Sequence, residues 1–294
     1  MGLGPAAVKM DLELFKRGFL KDRHSVIEMG SQGLHLNLAD LQEFFNMAGI
    51  NDYKKEKFSV LTHWPNSPEC SSRVFYEALG ITEYACIDLG QEHGAIPVDL
   101  NFPLEDKSLY GKYDVVTDHG TNEHVFNTPE AFRTMHRLCK VGGIFIVSQV
   151  MYRGNGYYAY NPSFFERMAA ANNYKILFSS YNIVAHTWTS NGSPNQFHVP
   201  ISEDLIDTLD WSKIREIGIN FVCQKQSDAD FCYPSQAEPI VRKNQGYPLQ
   251  FLQSPPRDSY VPTIPADMHG KDLLAECQAR LYSRIKSYLS LRFK

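Results

Sequence analysis

The chain has no apolar run of the ~18–20 residues that a membrane-spanning helix requires. It opens MGLGPAAVKMDLELFKRG, which lacks a hydrophobic signal core. It begins Met-Gly, but Ala stands at position 6 where the myristoylation pattern needs Ser or Thr. The six cysteines, at 70, 86, 139, 223, 232 and 277, form no C-x-x-C pair, so a zinc ribbon or disulfide framework is not expected and reduced, structural thiols are. A formal charge of −4 removes any broad electrostatic drive toward nucleic acid or an anionic membrane. Internal repeats are also missing. These absences predict a cytoplasmic protein with neither nucleic acid nor membrane as partner.

What is present is a core-forming chain of 294 residues, 43% hydrophobic and 21% charged. That is enough for one large domain or two small ones. Apolar strand-like runs alternate with amphipathic segments. HSVIEMG (24–30) reads as a strand, and LHLNLADLQEFFNMAGI carries Leu38, Leu41, Phe44, Phe45 and Ala48 at helical spacing. Ser71 or Ser72 can cap a short helix, RVFYEALG. EYACIDLG (83–90), AIPVDLN (95–101) and YDVVTDHG (113–120) read as strands. TPEAFRTMHRLCKVGG (128–143) reads as a helix, with Thr128 as cap, Pro129 in the first turn and the glycine pair as its stop. IFIVSQVM (144–151) follows as a doubly buried strand. A helix over 162–174, a strand over 175–186, a polar loop over 187–199, a short helix near 202–210 and a last strand over 217–225 complete the pattern. The alternation predicts an α/β fold: a Rossmann-like, doubly wound, mainly parallel seven-stranded sheet with helices on both faces.

Residues 1–226 are expected to form this domain. Residues 227–270 hold seven of the sixteen prolines and predict an extended segment wrapped over the core. The final stretch, KDLLAECQARLYSRIKSYLSLRFK, is an amphipathic helix with a basic face. It reads as a helix docked on the core, with a homodimer contact or an anionic-ligand patch as alternatives.

In an open α/β sheet, ligands bind beyond the carboxyl ends of the strands, near the reversal of strand order. The first strand ends Glu28-Met29-Gly30-Ser31-Gln32-Gly33, where glycine would let a ligand approach the backbone. The second ends in Asp88, a carboxylate able to accept from two ribose hydroxyls at once. The third ends Asp99-Leu100-Asn101, and the fourth Asp118-His119-Gly120. Each has a plain alternative: a tight turn for the glycines, a solvated strand end for the acids. As an ordered series they point to a nucleoside-bearing cofactor.

This series resembles the class I S-adenosylmethionine-dependent methyltransferases over roughly residues 22–225. VIEMGSQG is similar to that family's glycine-bearing first motif, IDLG to its ribose acid and PVDLN to the segment beside the adenine. YDVVTDHGTNEHV is similar to the strand end beside the methyl group, and LCKVGGIFIV to the approach to the fifth strand, with Val141 in place of proline. GTNEHVFN and GYYAYNPSFFERMAAANNY resemble a subgroup acting on small molecules or glycans. The resemblance implies S-adenosyl-L-methionine as cofactor, with Glu28, Gly30, Ser31, Gln32, Gly33, Asp88, Asp99, Leu100 and Asp118 around it. Two departures stand out. Gln32 occupies a place where glycine is common, and 60 residues separate Glu28 from Asp88 where ~20 are expected. An insertion over about 34–70 is therefore expected. It carries His63 and Trp64, read as a packed Trp-Pro turn or, alternatively, a cap on the acceptor pocket.

Methyl transfer to a hydroxyl needs in-line positioning and a base for the departing proton. His124 is the first choice for that base, then His119, with Glu123 orienting His124 or touching the acceptor. Tyr157, Tyr158 and Asn161, after the fifth strand, suit a sugar or small polyol, as does His186 further on. A zinc box at 119–124 is disfavoured. On a helix His119 and His124, five residues apart, would diverge by about 140°, so no metal is expected. The function expected is O-methylation of a small-molecule or glycan hydroxyl. The alternatives are a catalytically inactive methyltransferase-like scaffold and a nucleotide-sugar or dinucleotide enzyme.

Overall fold

A computed structural model describes residues 2–66, 69–90 and 92–236. The basic amphipathic helix expected over 271–294, and with it the homodimer contact, lies outside the described residues.

The chain starts with helix α1 (Pro5–Lys16), which the sequence reading did not anticipate. Pro5 sits in its first turn, where the missing N–H costs nothing. Its residues Ala7, Met10 and Leu14 face the core. Strand β1 (Ser25–Met29) follows, then α2 (Leu38–Ala48), capped by Asn37 and stopped by Gly49 in the left-handed conformation. After α3 (Arg73–Ala78) come β2 (Glu83–Asp88), a two-residue β3 (Ile96–Pro97) and β4 (Tyr113–His119). Then α4 (Thr128–Leu138), β5 (Cys139–Tyr152), α5 (Pro162–Ala171), β6 (Lys175–Trp188), β7 (Pro194–Val199), α6 (Glu203–Thr208) and β8 (Ile214–Gln224) complete the order.

Across the sheet the strands run β3-β2-β1-β4-β5-β8-β6-β7. Pairing is parallel from β3 to β5, and β8 is antiparallel to both β5 and β6. Alternate side chains of the central strands feed two cores. Val26, Val115 and Ile146 pack under α1, α2 and α3, while Ile27, Val116 and Val147 pack under α4 and α5. The fold is Rossmann-like α/β, with eight strands in the main sheet of the described residues rather than seven. The extra strand is β7, in the stretch expected to be a loop. Asn191-Gly192 turns the chain and PNQFHV pairs back on β6, a hairpin signal that the polar composition hid.

The end of α4 moved, and the strand expected over 95–101 shortens to Ile96–Pro97. α4 stops at Leu138, and the glycine pair expected to end it lies inside β5. The buried Lys225 ammonium provides the stop instead, donating to the carbonyls of His136 (3.0 Å) and Cys139 (2.9 Å), which the helix leaves unpaired. The excursion between β1 and β2 leaves after Gln32 and returns at Ser72, whose N–H donates to the Gln32 carbonyl (3.1 Å). Gly33–Leu34 pairs on one side with Gly2–Leu3 and on the other with Cys70–Ser71, tying the excursion down.

The start of the proline-rich segment lies along α4 and α5. His136 Nε2 donates to the Ala229 carbonyl (2.9 Å), and Asn172 exchanges hydrogen bonds with the Cys232 backbone. Among the described residues no helix is long and apolar enough to cross a membrane.

Candidate functional site

The strand order reverses at β1, which has β2 on one side and β4 on the other. The crevice beyond their carboxyl ends is where an open α/β sheet binds ligands. Asp88 ends β2 at this edge. Its Oδ2 accepts the Ser31 N–H (2.7 Å) and its Oδ1 the Gly90 N–H (2.9 Å). Both bonds fix the carboxylate, and each oxygen keeps a lone pair for a further donor. Exposed Leu89 and Phe102 lie next to Asp88 and to Asp99-Leu100-Asn101 in the chain. Asp99 accepts from the Asn101 backbone and side chain, and Asn101 in turn holds Asn127 at the start of α4. Leu100 is buried in the core.

The glycine turn is built differently from the expectation. Gly30 has φ +80, which only glycine adopts without strain. A Cβ there would lie 2.3 Å from Thr121 Oγ1. The group that approaches this backbone closely is therefore the chain's own Thr121. Its hydroxyl donates to the Met29 carbonyl (2.6 Å) and accepts from Gln32 Nε2 (2.9 Å). The space beside Gly33 is likewise taken by Glu69 of the insertion. Glu28 does not reach the crevice. It is fully buried under α3, where Ser72 Oγ and Tyr84 OH both donate to its Oε2 at 2.6 Å, and burial pushes its pKa up to about 8.

Two buried polar atoms at the ends of β1 and β4 have no partner within the described chain: Gln32 Oε1 and Asn122 Oδ1. Both are acceptors, so the edge calls for donors. Asp118 Oδ1 receives the N–H groups of Thr121 (2.9 Å) and Asn122 (3.3 Å), yet burial lifts its pKa to about 7. An ammonium-bearing, ribose-bearing cofactor fits this set. Its diol would meet Asp88 and its ammonium the unpaired acceptors.

Beside this edge lies a cleft of about 560 Å³. His119, Glu123 and His124 line it, with Gln149 from β5 and Asn182 from β6; Trp64 of the insertion and Trp188 form its rim. The two indoles lie 5.9 Å apart, so Trp64 meets the far edge of the sheet across the cleft. The exit from β4 turns through Gly120 (φ +82) into a single 3-10 turn, Asn122–His124. Glu123 is held on every side. Its N–H donates to Gln149 Oε1 (3.0 Å), its carbonyl accepts from Tyr157 N–H (2.7 Å), and its Oε2 accepts from Val150 N–H (2.8 Å). Its Oε1 stands 3.6 Å from His124 Nε2. Burial lifts the Glu123 pKa to about 7 and pushes His119 down to about 4; His124, a third exposed, is lowered less.

The other expected contacts are dispersed. Tyr157 is exposed, and Tyr158 OH donates to the Phe126 carbonyl (2.7 Å). Asn161 caps α5 through the Ser163 N–H (3.0 Å). His186 is exposed near the end of β6 and does not line the cleft. His63 is exposed, whereas Trp64 lines the cleft. Among the described residues, no group of three or more His, Cys, Asp or Glu side chains is placed to hold a metal ion. Gln149 and Asn182 were missed by sequence reasoning, since polar residues in the middle of strands β5 and β6 were their only signal.

No family model matches the chain, and no curated protein matches it. Solved structures do match. A 1,6-didemethyltoxoflavin-N1-methyltransferase from Burkholderia thailandensis, with S-adenosylhomocysteine bound, is 10% identical, with a TM-score of 0.39, over 75% of this chain and 79% of its own. A SAM-dependent methyltransferase from Archaeoglobus fulgidus is 9% identical, with a TM-score of 0.39, over 76% of this chain and 95% of its own. The CurJ carbon methyltransferase is 12% identical, with a TM-score of 0.39, over 76% of this chain and 55% of its own. The fold assignment rests on the sheet order described above.

Proposed function

We propose that this chain is a class I S-adenosylmethionine-dependent methyltransferase that transfers the methyl group to a hydroxyl of a small molecule or sugar. The observation that carries the reading is the juxtaposition at one sheet edge. Asp88, fixed by two backbone N–H groups, stands at the strand-order reversal, and a separate polar cleft opens beside it at the end of β4. One place suits a ribose, the other an acceptor.

The cofactor would supply a methyl on sulfonium, already a good leaving group. The protein's part is to orient the acceptor, exclude water and receive a proton. His124 fits the base role best. It is partly exposed in the cleft, and Glu123 Oε1 lies 3.6 Å from its Nε2, close enough to stabilise the imidazolium that forms. His119, fully buried and held neutral, suits hydrogen bonding to the acceptor better than proton capture.

Calorimetry with S-adenosylhomocysteine tests the reading. Binding is expected, weakened at least ~10-fold by Asp88→Ala, since two charge-assisted hydrogen bonds are lost. Absence of any heat of binding to the wild-type chain refutes it. A second reading, an inactive scaffold of the same fold, is favoured by Thr121 and Glu69 standing over the two glycines of the first turn. Turnover by the isolated chain on a defined hydroxyl acceptor rules that out.

A further inference from the structure

The cleft beside β4 contains polar atoms that the chain leaves unused. His119 and Gln149 are each only 2% exposed; both ring nitrogens of His119 have no partner among the described residues, and Gln149 Nε2 has only the Asp118 carboxylate beside it. Asn182 Oδ1, on β6, is buried and unpartnered as well. Leaving such groups unpaired is costly, and several in one cleft call for a ligand that satisfies them. Their chemistry is specific. His119 is held neutral by burial, so one ring nitrogen donates and the other accepts. Gln149 Nε2 donates, and Asn182 Oδ1 accepts. His119, Gln149 and Asn182 are thus an uncharged set of mixed donors and acceptors, with Glu123, Arg215 and Glu216 also lining the cleft. Hydroxyl groups, which both donate and accept, match this set.

The rim is different. Trp188 is 52% exposed at the end of β6, and Trp64 lies 5.9 Å from it. Asp40, buried at the start of α2, accepts from Thr189 Oγ1 (2.8 Å) and Asn191 Nδ2 (3.0 Å), so the insertion is clasped to the β6–β7 turn and the two indoles are held together. Indole faces at a polar cleft bind the apolar face of a ring.

We infer that the cleft binds a saturated, polyhydroxylated ring, a pyranoside or cyclitol, with one face against Trp188 and Trp64 and its hydroxyls on His119, Gln149 and Asn182. The inference rests on the methyltransferase reading only in calling this ring the acceptor; the binding itself can be measured without turnover. The test is calorimetry or ligand-observed NMR on the full chain, with and without S-adenosylhomocysteine. The probes are methyl α-D-glucopyranoside, myo-inositol and, as a planar aromatic diol, catechol.

Saturable binding of a polyol at millimolar concentration is expected. Trp188→Ala should weaken it roughly tenfold, Trp188→Phe should retain most of it, and Gln149→Leu should weaken it without removing the stacking. Trp188 lies at the surface, so its replacement leaves the core intact. Binding of catechol alone, no saturable binding of either polyol, or polyol binding indifferent to Trp188→Ala would each overturn the inference. Failure of S-adenosylhomocysteine to bind, with polyol binding intact, would sink the methyltransferase reading and leave the polyol site standing.

Discussion

Glu28 offers a quantitative test of how the first strand is built. Its side chain is fully buried, and its Oε2 takes two hydroxyl hydrogen bonds. Burial raises its pKa from 4.5 to about 8, so the folded state holds this proton more tightly than the unfolded chain does. The contribution to stability is therefore complete below about pH 4.5, falls as pH rises, and is lost once pH passes the folded value near 8. Between those limits the carboxyl costs the fold ~5 kcal/mol, at ~1.4 kcal/mol per decade of proton affinity. Glu28→Gln keeps the shape and an oxygen able to accept from Ser72 and Tyr84, but it cannot ionise. The variant should match the wild type near pH 4 and exceed it by several kcal/mol near pH 8.5. Urea denaturation followed by tryptophan fluorescence at several pH values measures this, and taking the difference between the chains cancels groups that titrate identically in both. Asp11 does not cancel fully, because the charge on Glu28 raises its pKa further; that coupling adds to the gain in the same direction. A stability difference independent of pH would refute the buried, proton-holding Glu28.

Two further substitutions probe the framework. Lys225→Met removes a buried ammonium that closes the end of α4 on two carbonyls and also donates to Asp228 (2.9 Å). It should lower stability by ~2–4 kcal/mol, read as a fall in urea midpoint with unchanged slope. Gly30→Ala forces a positive φ on alanine and drives its Cβ into Thr121, so a loss of ~2–4 kcal/mol is expected. Adding Thr121→Ser should recover little of it, because the serine hydroxyl occupies the same contact.

The central sheet was legible because each of its strands is an apolar run bounded by glycine or acid, and because helices of regular spacing separate them. Three features were not. α1 begins with small residues and then alternates charged with large apolar ones (Lys9-Met10-Asp11-Leu12-Glu13-Leu14), a strand-like period, and its tertiary partners support the helix: Gln196 Oε1 accepts the Ala6 N–H (2.9 Å), and His198 Nε2 donates to the Ala6 carbonyl (2.7 Å). β7 supplies both of those partners, and its own polar residues, Asn195 and His198, disguised it as a loop. The end of α4 is fixed by Lys225, eighty-seven residues beyond Leu138, and no local pattern announces that. In each case a long-range polar contact overrides the local signal.

The same distinction separates the parts of the site. Asp88, Asp118, His119, Glu123 and His124 could be placed from the chain because strand ends are local features, and the sheet brings strand ends to one edge whatever the side chains do. The glycine turn looked like a place for a ligand but is packed by Thr121, from the exit of β4, and by Glu69, from the insertion. Composition around Gly30 and Gly33 holds no trace of either. His198 shows the converse. It lies on β7, and its Nε2 is committed to the Ala6 carbonyl (2.7 Å) while its Nδ1 accepts from Ser180 (2.8 Å). A histidine with both nitrogens satisfied by the fold has nothing left for chemistry, whereas His119, equally buried, has both nitrogens free among the described residues. Burial alone therefore does not separate structural from functional polar groups in this chain. Among the described residues unpaired buried polar atoms also occur on α1 and α4, at Asp11 and Thr134, but Gln32, Asn122, His119 and Asn182 bring several together at the ends of β1 and β4 and in the cleft beside them.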